Sequence, residues 1–297
     1  MSVKPLRLGT RGSTLARTQS EWVAQYFPEQ KFEFTIIKTA GDDLSLSLFS
    51  PGEPGAFVNA LRTALLAGEV DLLVHSMKDL PSAPQPQLTF AAIPKREDAR
   101  DVLVSRNNVS LSQLPDGSVI GTSSPRRMAS IKQMNPALNP QPIRGNIDTR
   151  IQKVRSGEYD AVVLAAAGLA RINKSQDIAE FFSVEQMVPA PAQGALAIEC
   201  RSEDAELIEL LSIIDHAPTR LTSIAERAVL QGLQAGCEVP IGAFAKIEGS
   251  QLVLIVELGG SEVQKSKKIV ESTTISSVSD FSAAQALGLR VAQILMK

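Results

Sequence analysis

The sequence predicts an α/β protein with two α/β blocks, followed by a small α+β domain that contains an antiparallel sheet. Through the first two thirds of the chain, short apolar runs alternate with helical patterns, as is typical of α/β proteins. From residue 239 onward the pattern changes to alternating apolar and polar positions. The length of 297 residues suits two or three domains of about 100 to 200 residues each.

The first block contains four predicted strands and two predicted helices. The strands are expected at residues 6–10, 32–37, 70–74 and 88–93. One helix is expected near 14–26, where Leu15, Trp22 and Tyr26 share a face, and another near 57–66, before Gly68. Prolines at 81–86 mark the end of these patterns.

The second block repeats this alternation, and the remaining patterns complete the fold. Strands are expected at 102–105, 119–122 and 161–165, with helices after Ser124 and after Asn146 and a proline cluster at 189–191. The apolar run at 194–200 has too little chain around it for a separate unit, so we expect it to pair with an earlier sheet. Helices are expected at 203–214, 221–233 and 280–296, the last of them after the alternating strands.

The charge distribution favours a small polyanionic ligand. The whole chain has 30 basic and 32 acidic residues, which gives no general case for a nucleic-acid binder. Residues 95–171, however, hold 12 Lys and Arg against seven Asp and Glu, and nine of the 12 are arginine. Arginine suits bidentate binding of carboxylate or phosphate, and the single aromatic residue of this stretch, Tyr159, argues against base stacking.

Composition also argues against membrane, secreted and metal-binding classes. The longest uncharged stretch, 80–94, contains four prolines and is shorter than a spanning helix of about 18 apolar residues. The N-terminus lacks an apolar signal region, so we expect a cytoplasmic protein with both cysteines as free thiols. The two histidines and two cysteines have no zinc-type spacing, so no metal is expected.

The segment HSMKDLP at 75–81 follows a predicted strand, and it places Lys78 and Asp79 where α/β sheets bind ligands. An exposed Lys and Asp in a turn before Pro81 is the alternative interpretation.

Two further segments predict anion binding at the start of a helix. GTSSPRR at 121–127 combines hydroxyl groups, free helix amides and the pair Arg126 and Arg127. RGNIDTR at 144–150 places Arg144 and Arg150 around another helix start. The alternative for the first segment is a serine cap with two solvated arginines.

The two cysteines differ in their setting. Cys200 ends an apolar run and fits a buried, inert thiol. Cys237 lies in a loop between Gly236 and Pro240, which is not a core position. A cysteine-protease function would need His75 or His216 as general base, and neither has a recognisable local signature.

Taken together, these segments resemble the porphobilinogen deaminase (hydroxymethylbilane synthase) family of tetrapyrrole biosynthesis. The resemblance extends over essentially the whole chain. The segments that carry it are LRLGTRGSTLA at 6–16, HSMKDLP, REDARDVLVS at 96–105, GTSSPRR, IRGNIDTR at 143–150, YDAVVLAAAGLAR at 159–171, PAQGALAIECR at 191–201 and AERAVLQGLQAGCEVPIGAFA at 225–245.

The resemblance implies three domains. Two are α/β domains like those of periplasmic binding proteins, with a cleft between them, at 1–95 with 193–214 and at 96–192. The third, 215–297, is the α+β domain that carries the cofactor cysteine.

The resemblance also implies a covalent dipyrromethane cofactor, joined to Cys237 by a thioether. By the same resemblance, the cofactor is held by Ser13, Ser76, Lys78, Thr122, Ser124, Arg126, Arg127 and Arg144. Substrate porphobilinogen is bound by Arg11, Gln19, Phe57, Arg150 and Arg171, and Asp79 is the catalytic group. A fixed carboxylate stabilises the cations formed when ammonia leaves each substrate and when the next ring is attacked.

One segment departs from the family pattern. Family members have two lysines in a flexible loop near the cleft, whereas this chain has Ser50 and Pro54 at those positions and Glu53 between them. Two alternatives to a monomeric four-unit polymerase therefore stay open. One is a cofactor-loaded member of low activity, and the other is a non-enzymatic two-lobed protein that binds anions.

Overall fold

A computed structural model describes residues 5–38, 56–234, 239–260 and 266–297. Within it, the chain divides into two compact units. Unit 1 consists of Met1–Arg96 and Ala195–Arg220, and unit 2 consists of Glu97–Gly194 and Leu221–Lys297. Each unit is therefore built from two separate stretches of chain.

Unit 1 contains a five-stranded mixed sheet with helices on both faces. Its strands are β1 (Leu6–Thr10), β2 (Phe32–Ile36), β3 (Leu72–Ser76), β4 (Leu88–Ala92) and β10 (Leu196–Arg201). Its helices are α1 (Thr14–Ala24), α2 (Ala56–Leu66) and α6 (Ala205–Ser212). The strand order is β2-β1-β3-β10-β4, and β10 runs antiparallel to both of its neighbours. The apolar run at 194–200 thus pairs with the earlier sheet, as predicted.

The core of unit 1 follows from the alternation of side chains along β3. Leu72 and Val74 pack on the face that α1 and α6 cover, together with Val23 and Leu211. Leu73 points to the other face and packs with α2. Burial of each such leucine contributes roughly 1.5–3 kcal/mol, so the strand is held from both sides.

The first sheet of unit 2 has the same arrangement of parallel and antiparallel strands. Its strands are β5 (Asp101–Ser105), β6 (Val119–Gly121), β7 (Asn139–Gln141), β8 (Ala161–Ala165) and β9 (Glu180–Phe181). Its helices are α3 (Pro125–Met134), α4 (Ile147–Arg155) and α5 (Ala166–Arg171). The order is β7-β6-β8-β5-β9, so in both sheets an antiparallel strand separates a parallel trio from an edge strand.

The second sheet of unit 2 is a three-stranded antiparallel meander. It consists of β11 (Ile241–Glu248), β12 (Gln251–Leu258) and β13 (Lys267–Thr274), with α7 (Ala217–Leu233) and α8 (Phe281–Leu295). The apolar residues predicted to alternate, such as Ala243, Ala245, Leu252 and Leu254, are all buried in one core with Leu287. The predicted fold class is confirmed, whereas the division into three domains stays a prediction.

The structure also contains elements that the sequence analysis missed. Strands β7 and β9 have three and two residues, which is too short for a periodic pattern. Strand β13 is mostly polar and half-exposed, so it lacks an apolar run. Among the described residues, none of the helices has the length and apolarity needed to cross a membrane.

Candidate functional site

In unit 2, the segment GTSSPRR forms the junction between β6 and α3. Ser124 caps the helix, and its Oγ accepts a hydrogen bond from the backbone N–H of Arg127 at 3.4 Å. Pro125 occupies the first turn, where its missing N–H is not needed. The hydroxyl of Thr122 is buried and accepts from the N–H of Ser124 at 3.2 Å. The predicted cap is confirmed.

Arg126 and Arg127 are buried rather than solvated, with relative exposures of 6% and 8%. Nη1 of Arg126 donates to the carbonyl oxygen of Val188 at 2.8 Å. Nη1 of Arg127 donates to the carbonyl oxygen of Val163 at 3.0 Å. The interpretation of this pair as two surface arginines is therefore wrong.

The acid that allows this burial is Asp101 at the start of β5, which no local sequence pattern marks. Its Oδ1 accepts from Nε and Nη2 of Arg127 at 2.9 and 2.7 Å. Its Oδ2 forms an ion pair with Nη1 of Arg126 at 2.7 Å, without the alignment of a hydrogen bond. Burial alone raises the pKa of Asp101, but the two guanidinium charges outweigh it and hold the pKa well below its ordinary value.

Two other predicted arginines of unit 2 bind only backbone carbonyl oxygens among the described residues. Nε of Arg150 donates to the oxygen of Gly145 at 2.8 Å, and Nη2 of Arg171 donates to that of Gly194 at 2.7 Å. Burial and the nearby charge of Arg127 lower the pKa of Arg150. Burial lowers the pKa of Arg171 to about 10, although the charge of Glu97 acts in the opposite direction. Both side chains stay cationic at neutral pH without a carboxylate partner in the described part of the chain.

Arg144, the remaining predicted arginine, is half-buried in the turn that precedes α4. The next residue, Gly145, has φ +106°, a conformation that favours glycine. Asn146 then caps α4 by accepting from the N–H of Thr149 at 2.9 Å. The second predicted helix start is therefore also confirmed.

In unit 1, the segment HSMKDLP begins where β3 ends. Ser76 is the last residue of β3, and a single 3₁₀ turn spans Met77–Asp79. The N–H of Met77 donates to the oxygen of Ala195 at 3.0 Å, which attaches the turn to the chain just before β10. Asp79 is exposed, and among the described residues its carboxylate has no hydrogen bond or ion pair. The turn thus presents one unengaged carboxylate at the carboxyl end of a parallel strand.

Gln19 and Ser13 lie on α1, beside this turn. The amide of Gln19, which is buried, bonds to Oγ of Ser76 at 2.9 Å. Ser13 caps α1, and its Oγ accepts from the N–H of Ala16 at 3.3 Å. Arg11 and Lys78 are both half-buried. The structure thus brings Gln19 together with Ser76 within unit 1.

A buried triad behind the turn was not predicted. His75 and Glu199 are almost fully buried, and Nε2 of His75 lies 3.2 Å from Oε2 of Glu199. Arg62 on α2 binds the same carboxylate, with Nη2 2.7 Å from Oε1. Burial opposes ionisation of Glu199, but hydrogen bonds from His75 and Arg62 lower its pKa. Arg62 and Glu199 are 137 positions apart, so no local pattern could have shown this contact.

Three predicted features cannot be placed. Cys237 and the loop at 45–55 lie outside the described residues, as does the side chain of Phe57. Cys200 is fully buried, as predicted, and burial raises the pKa of its thiol to about 11. Cys200 is therefore a poor nucleophile at neutral pH.

The chain that follows the Cys237 loop packs next to the arginine pair. The N–H of Ala243 donates to the oxygen of Pro189 at 2.8 Å. A Cβ atom at Gly242 would clash with the oxygen of Val188, the same oxygen that accepts from Arg126. The start of β11 and the guanidinium of Arg126 thus contact one short backbone segment of unit 2.

Two family profiles match almost the whole chain. One is described as "Porphobilinogen deaminase, dipyromethane cofactor binding domain" and matches residues 6–209. The other is described as "Porphobilinogen deaminase, C-terminal domain" and matches residues 220–297.

Curated relatives carry the same description. The porphobilinogen deaminase of Thermobifida fusca is 43% identical over 305 residues, covering 100% of this chain and 95% of the relative. That of Mycobacterium leprae is 44% identical over 301 residues, covering 97% and 92%. That of Nocardia farcinica is 51% identical over 245 residues, covering 82% and 70%.

Among solved structures, an arginine-specific periplasmic binding protein of Salmonella typhimurium has a TM-score of 0.41 and 15% identity, covering 71% of this chain and 92% of that chain.

Proposed function

The chain belongs to the porphobilinogen deaminase family, and on that premise we propose how its described residues carry out the family's reaction. The protein is a transferase that condenses four porphobilinogen molecules head to tail, with loss of ammonia, and releases hydroxymethylbilane for tetrapyrrole biosynthesis. Its cofactor is dipyrromethane.

The observation that carries the proposal is the excess of buried positive charge in unit 2. Arg126 and Arg127 share the acid Asp101, while among the described residues Arg150 and Arg171 bind carbonyl oxygens and no carboxylate. A buried cation without an anion is unfavourable, so this set of donors fits a ligand that brings several carboxylates. Porphobilinogen carries an acetate and a propionate, and a dipyrromethane carries four such groups.

We assign the cofactor carboxylates to Arg126, Arg127 and Arg144, with Thr122 and Ser124 beside them. We also assign Ser13, Ser76 and Lys78 to cofactor binding, and Cys237 to its covalent attachment. When bound, the dipyrromethane supplies the free α-carbon to which substrate is joined. Arg11, Arg150 and Arg171, with Gln19 and Phe57, bind the substrate carboxylates and ring.

Asp79 provides the catalytic carboxylate. Its oxygens have no described partner, so they are available to accept hydrogen bonds from pyrrole N–H groups. An anion at this position stabilises the positive charge that develops on substrate as ammonia leaves, and it accepts a proton when the ring regains aromaticity. Asp79 is exposed and is the single acidic residue of the HSMKD segment. Glu199 of the buried triad, by contrast, is paired with Arg62 and lies close to His75.

Two further properties belong to the proposal. We assign the protein to the cytoplasm and expect a monomer, which size-exclusion chromatography with light scattering tests directly. Family membership disfavours the non-enzymatic anion-binding alternative, because that alternative gives no role to Asp79 or Cys237.

Intact-protein mass spectrometry with a porphobilinogen assay tests the function. We expect purified protein to carry the mass of a covalent two-pyrrole adduct and to release ammonia and hydroxymethylbilane from porphobilinogen. A chain without the adduct that binds porphobilinogen reversibly and releases no ammonia would instead be an anion-binding protein. Adduct with little turnover would point to the substituted loop at 45–55.

A further inference from the structure

One buried acid organises both arginines of the GTSSPRR segment. Asp101 is fully buried, and Arg126 and Arg127 are each less than one tenth exposed. Its Oδ1 holds Arg127 through two hydrogen bonds, and its Oδ2 pairs with Arg126. The three residues form a compact cluster with two positive charges and one negative charge.

Stability alone does not account for such a cluster. Removing a carboxylate and two guanidiniums from water has a penalty of several kcal/mol for each ion, and apolar residues of similar volume are often as stable. Asp101 does, however, make it possible to bury two arginines side by side. The cluster is therefore better explained by a role of the arginines toward a ligand.

A third group fixes the acid itself. Nε2 of Gln193 donates to Oδ1 of Asp101 at 3.0 Å and to the oxygen of Ala99 at 2.7 Å. Gln193 is buried, with a relative exposure of 1%. Because Oδ1 accepts from both Gln193 and Arg127, the carboxylate cannot rotate without losing hydrogen bonds.

We propose that Asp101 is a positioning residue that holds Arg126 and Arg127 side by side for the carboxylates of a bound pyrrole ring. This inference rests on the proposed function, because it takes the ligand ring from it. Asp101 thus acts through Arg126 and Arg127, which it contacts, and not by contacting the ligand.

The first experiment compares Asp101→Asn with Asp160→Asn. Asparagine keeps the size of Asp101 and one acceptor oxygen but removes the charge and turns a donor toward Arg126. We expect the adduct fraction to fall by about tenfold or more, the effect of losing hydrogen bonds between charged groups. Asp160 holds Arg106 at 2.5 Å in the same unit but at a partly exposed position, so its variant should load normally.

A second readout separates positioning from simple destabilisation. In cofactor-free protein made by Cys237→Ala, calorimetry gives the affinities for succinate and for propane-1,2,3-tricarboxylate. Removing the negative charge of Asp101 makes the surroundings of Arg126 and Arg127 more positive by one charge. The ratio of the affinity for the tricarboxylate to that for succinate should therefore rise at least about threefold. If Asp101 only stabilised the fold, both affinities would fall in proportion, and an unchanged ratio would overturn the proposal.

A third variant covers the case in which Asp101→Asn does not fold. Gln193→Met keeps every charge but removes one of the three hydrogen bonds to Oδ1 of Asp101 and the bond to the oxygen of Ala99. We expect a loss of adduct of about threefold to tenfold, with a melting temperature only a few degrees lower. Full loading of this variant contradicts the inference. A wild-type protein without any adduct overturns the proposed function, whereas a loaded wild type with equally loaded variants overturns this inference alone.

Discussion

The contacts of single side chains determine which charged groups each unit can bind. In unit 2, Arg126 and Arg127 contact the buried Asp101. In unit 1, Asp79 is exposed without a described partner. A polyanionic ligand would neutralise the charges of the arginines. The carboxylate of Asp79 would in turn stabilise a positively charged reaction centre. Four single side chains give testable predictions: Asp79, Cys200, Cys237 and Arg171.

Asp79→Asn should separate folding from turnover. The amide preserves the size of an exposed side chain, so we expect an unchanged melting temperature and normal or near-normal cofactor content. Turnover of porphobilinogen should fall by roughly 100-fold or more, since the anion that stabilises the developing cation is gone. Near-normal kcat in this variant would show that another group performs the reaction.

Alanine substitution of each cysteine should give opposite results. Cys237→Ala should abolish the covalent adduct and the activity, because the anchoring thioether cannot form. Cys200→Ala should keep both, since Cys200 is fully buried in the core of unit 1. Mass spectrometry that finds the two-pyrrole mass on Cys237→Ala would refute the assignment of the anchor.

Arg171→Met should stabilise the cofactor-free protein. Burial lowers the pKa of Arg171 to about 10, so the protonated side chain destabilises the folded state at every pH below that value. Replacing it should raise the unfolding free energy by about 1–2 kcal/mol, even after loss of its bond to Gly194. Urea unfolding of cofactor-free protein checks this, with exposed Arg155→Met as control. Equal or lower stability of Arg171→Met would show that its carbonyl bond outweighs the buried charge.

At the scale of elements, the sequence predicts those parts of the fold that have a local signal. The buried strands β3, β5 and β8 contain continuous apolar runs, and the caps at Ser124 and Asn146 have the expected residue types. The short edge strands β7 and β9 and the polar strand β13 have neither an apolar run nor a capping residue that marks them. Their pairing comes from neighbours distant in the chain, which a local pattern does not contain.

At the candidate site, too, a local sequence pattern does not predict contacts between residues that are distant in the chain. The roles of the predicted arginines stay predictions, and the burial of Arg126 and Arg127 depends on Asp101, which is 26 positions from Arg127 and resembles any acidic residue at the start of a strand. The triad of His75, Glu199 and Arg62 depends on β10 returning to the first sheet. Return of that strand was predicted, but its register was not, and register determines which side chains meet.

Gly242→Ala should disturb the junction between β11 and the arginine pair. The added methyl group would clash with the carbonyl oxygen of Val188, a backbone atom that cannot move aside easily. We expect a loss of about 1–3 kcal/mol in stability and a lower adduct fraction, because Val188 also orients Arg126. The matched control is Gly288→Ala, whose methyl group would clash with the oxygen of Ala225 between α7 and α8. If both variants lose adduct equally, the effect comes from instability and not from the junction.

At the scale of the whole molecule, buried carboxylates predict how stability depends on pH. The pKa values of Asp101 and Glu199 are lowered in the folded state, despite burial, by their cationic partners. Such groups contribute stability above their unfolded pKa values of about 4, and this contribution is lost as the pH falls toward the folded values. We therefore expect the unfolding free energy to be steady between about pH 5 and 7 and to decline below about pH 4.

Glu199→Gln tests the source of this decline. At pH 7 the variant leaves Arg62 buried without its anion, so it should be less stable than the wild type by about 3–5 kcal/mol. Below pH 4 the gap should narrow, because the wild-type carboxylate also becomes protonated. Urea unfolding at several pH values measures the gap, with the exposed Glu209→Gln as control. A gap that stays constant down to pH 3 would mean that Glu199 is not ionised in the folded protein.

The position of β10 in the first sheet has a consequence for synthesis on the ribosome. Among the described strands, β4 pairs with β10 alone, and the two are separated by about a hundred residues that belong largely to unit 2. At about 5–20 residues per second, β4 emerges roughly 5–20 s before its partner does. During that interval the nascent first sheet has an open edge next to β3, and the first sheet of unit 2 can fold ahead of it. The order of translation thus makes the sheet of unit 1, whose first four strands are synthesised before unit 2, the last α/β sheet to close.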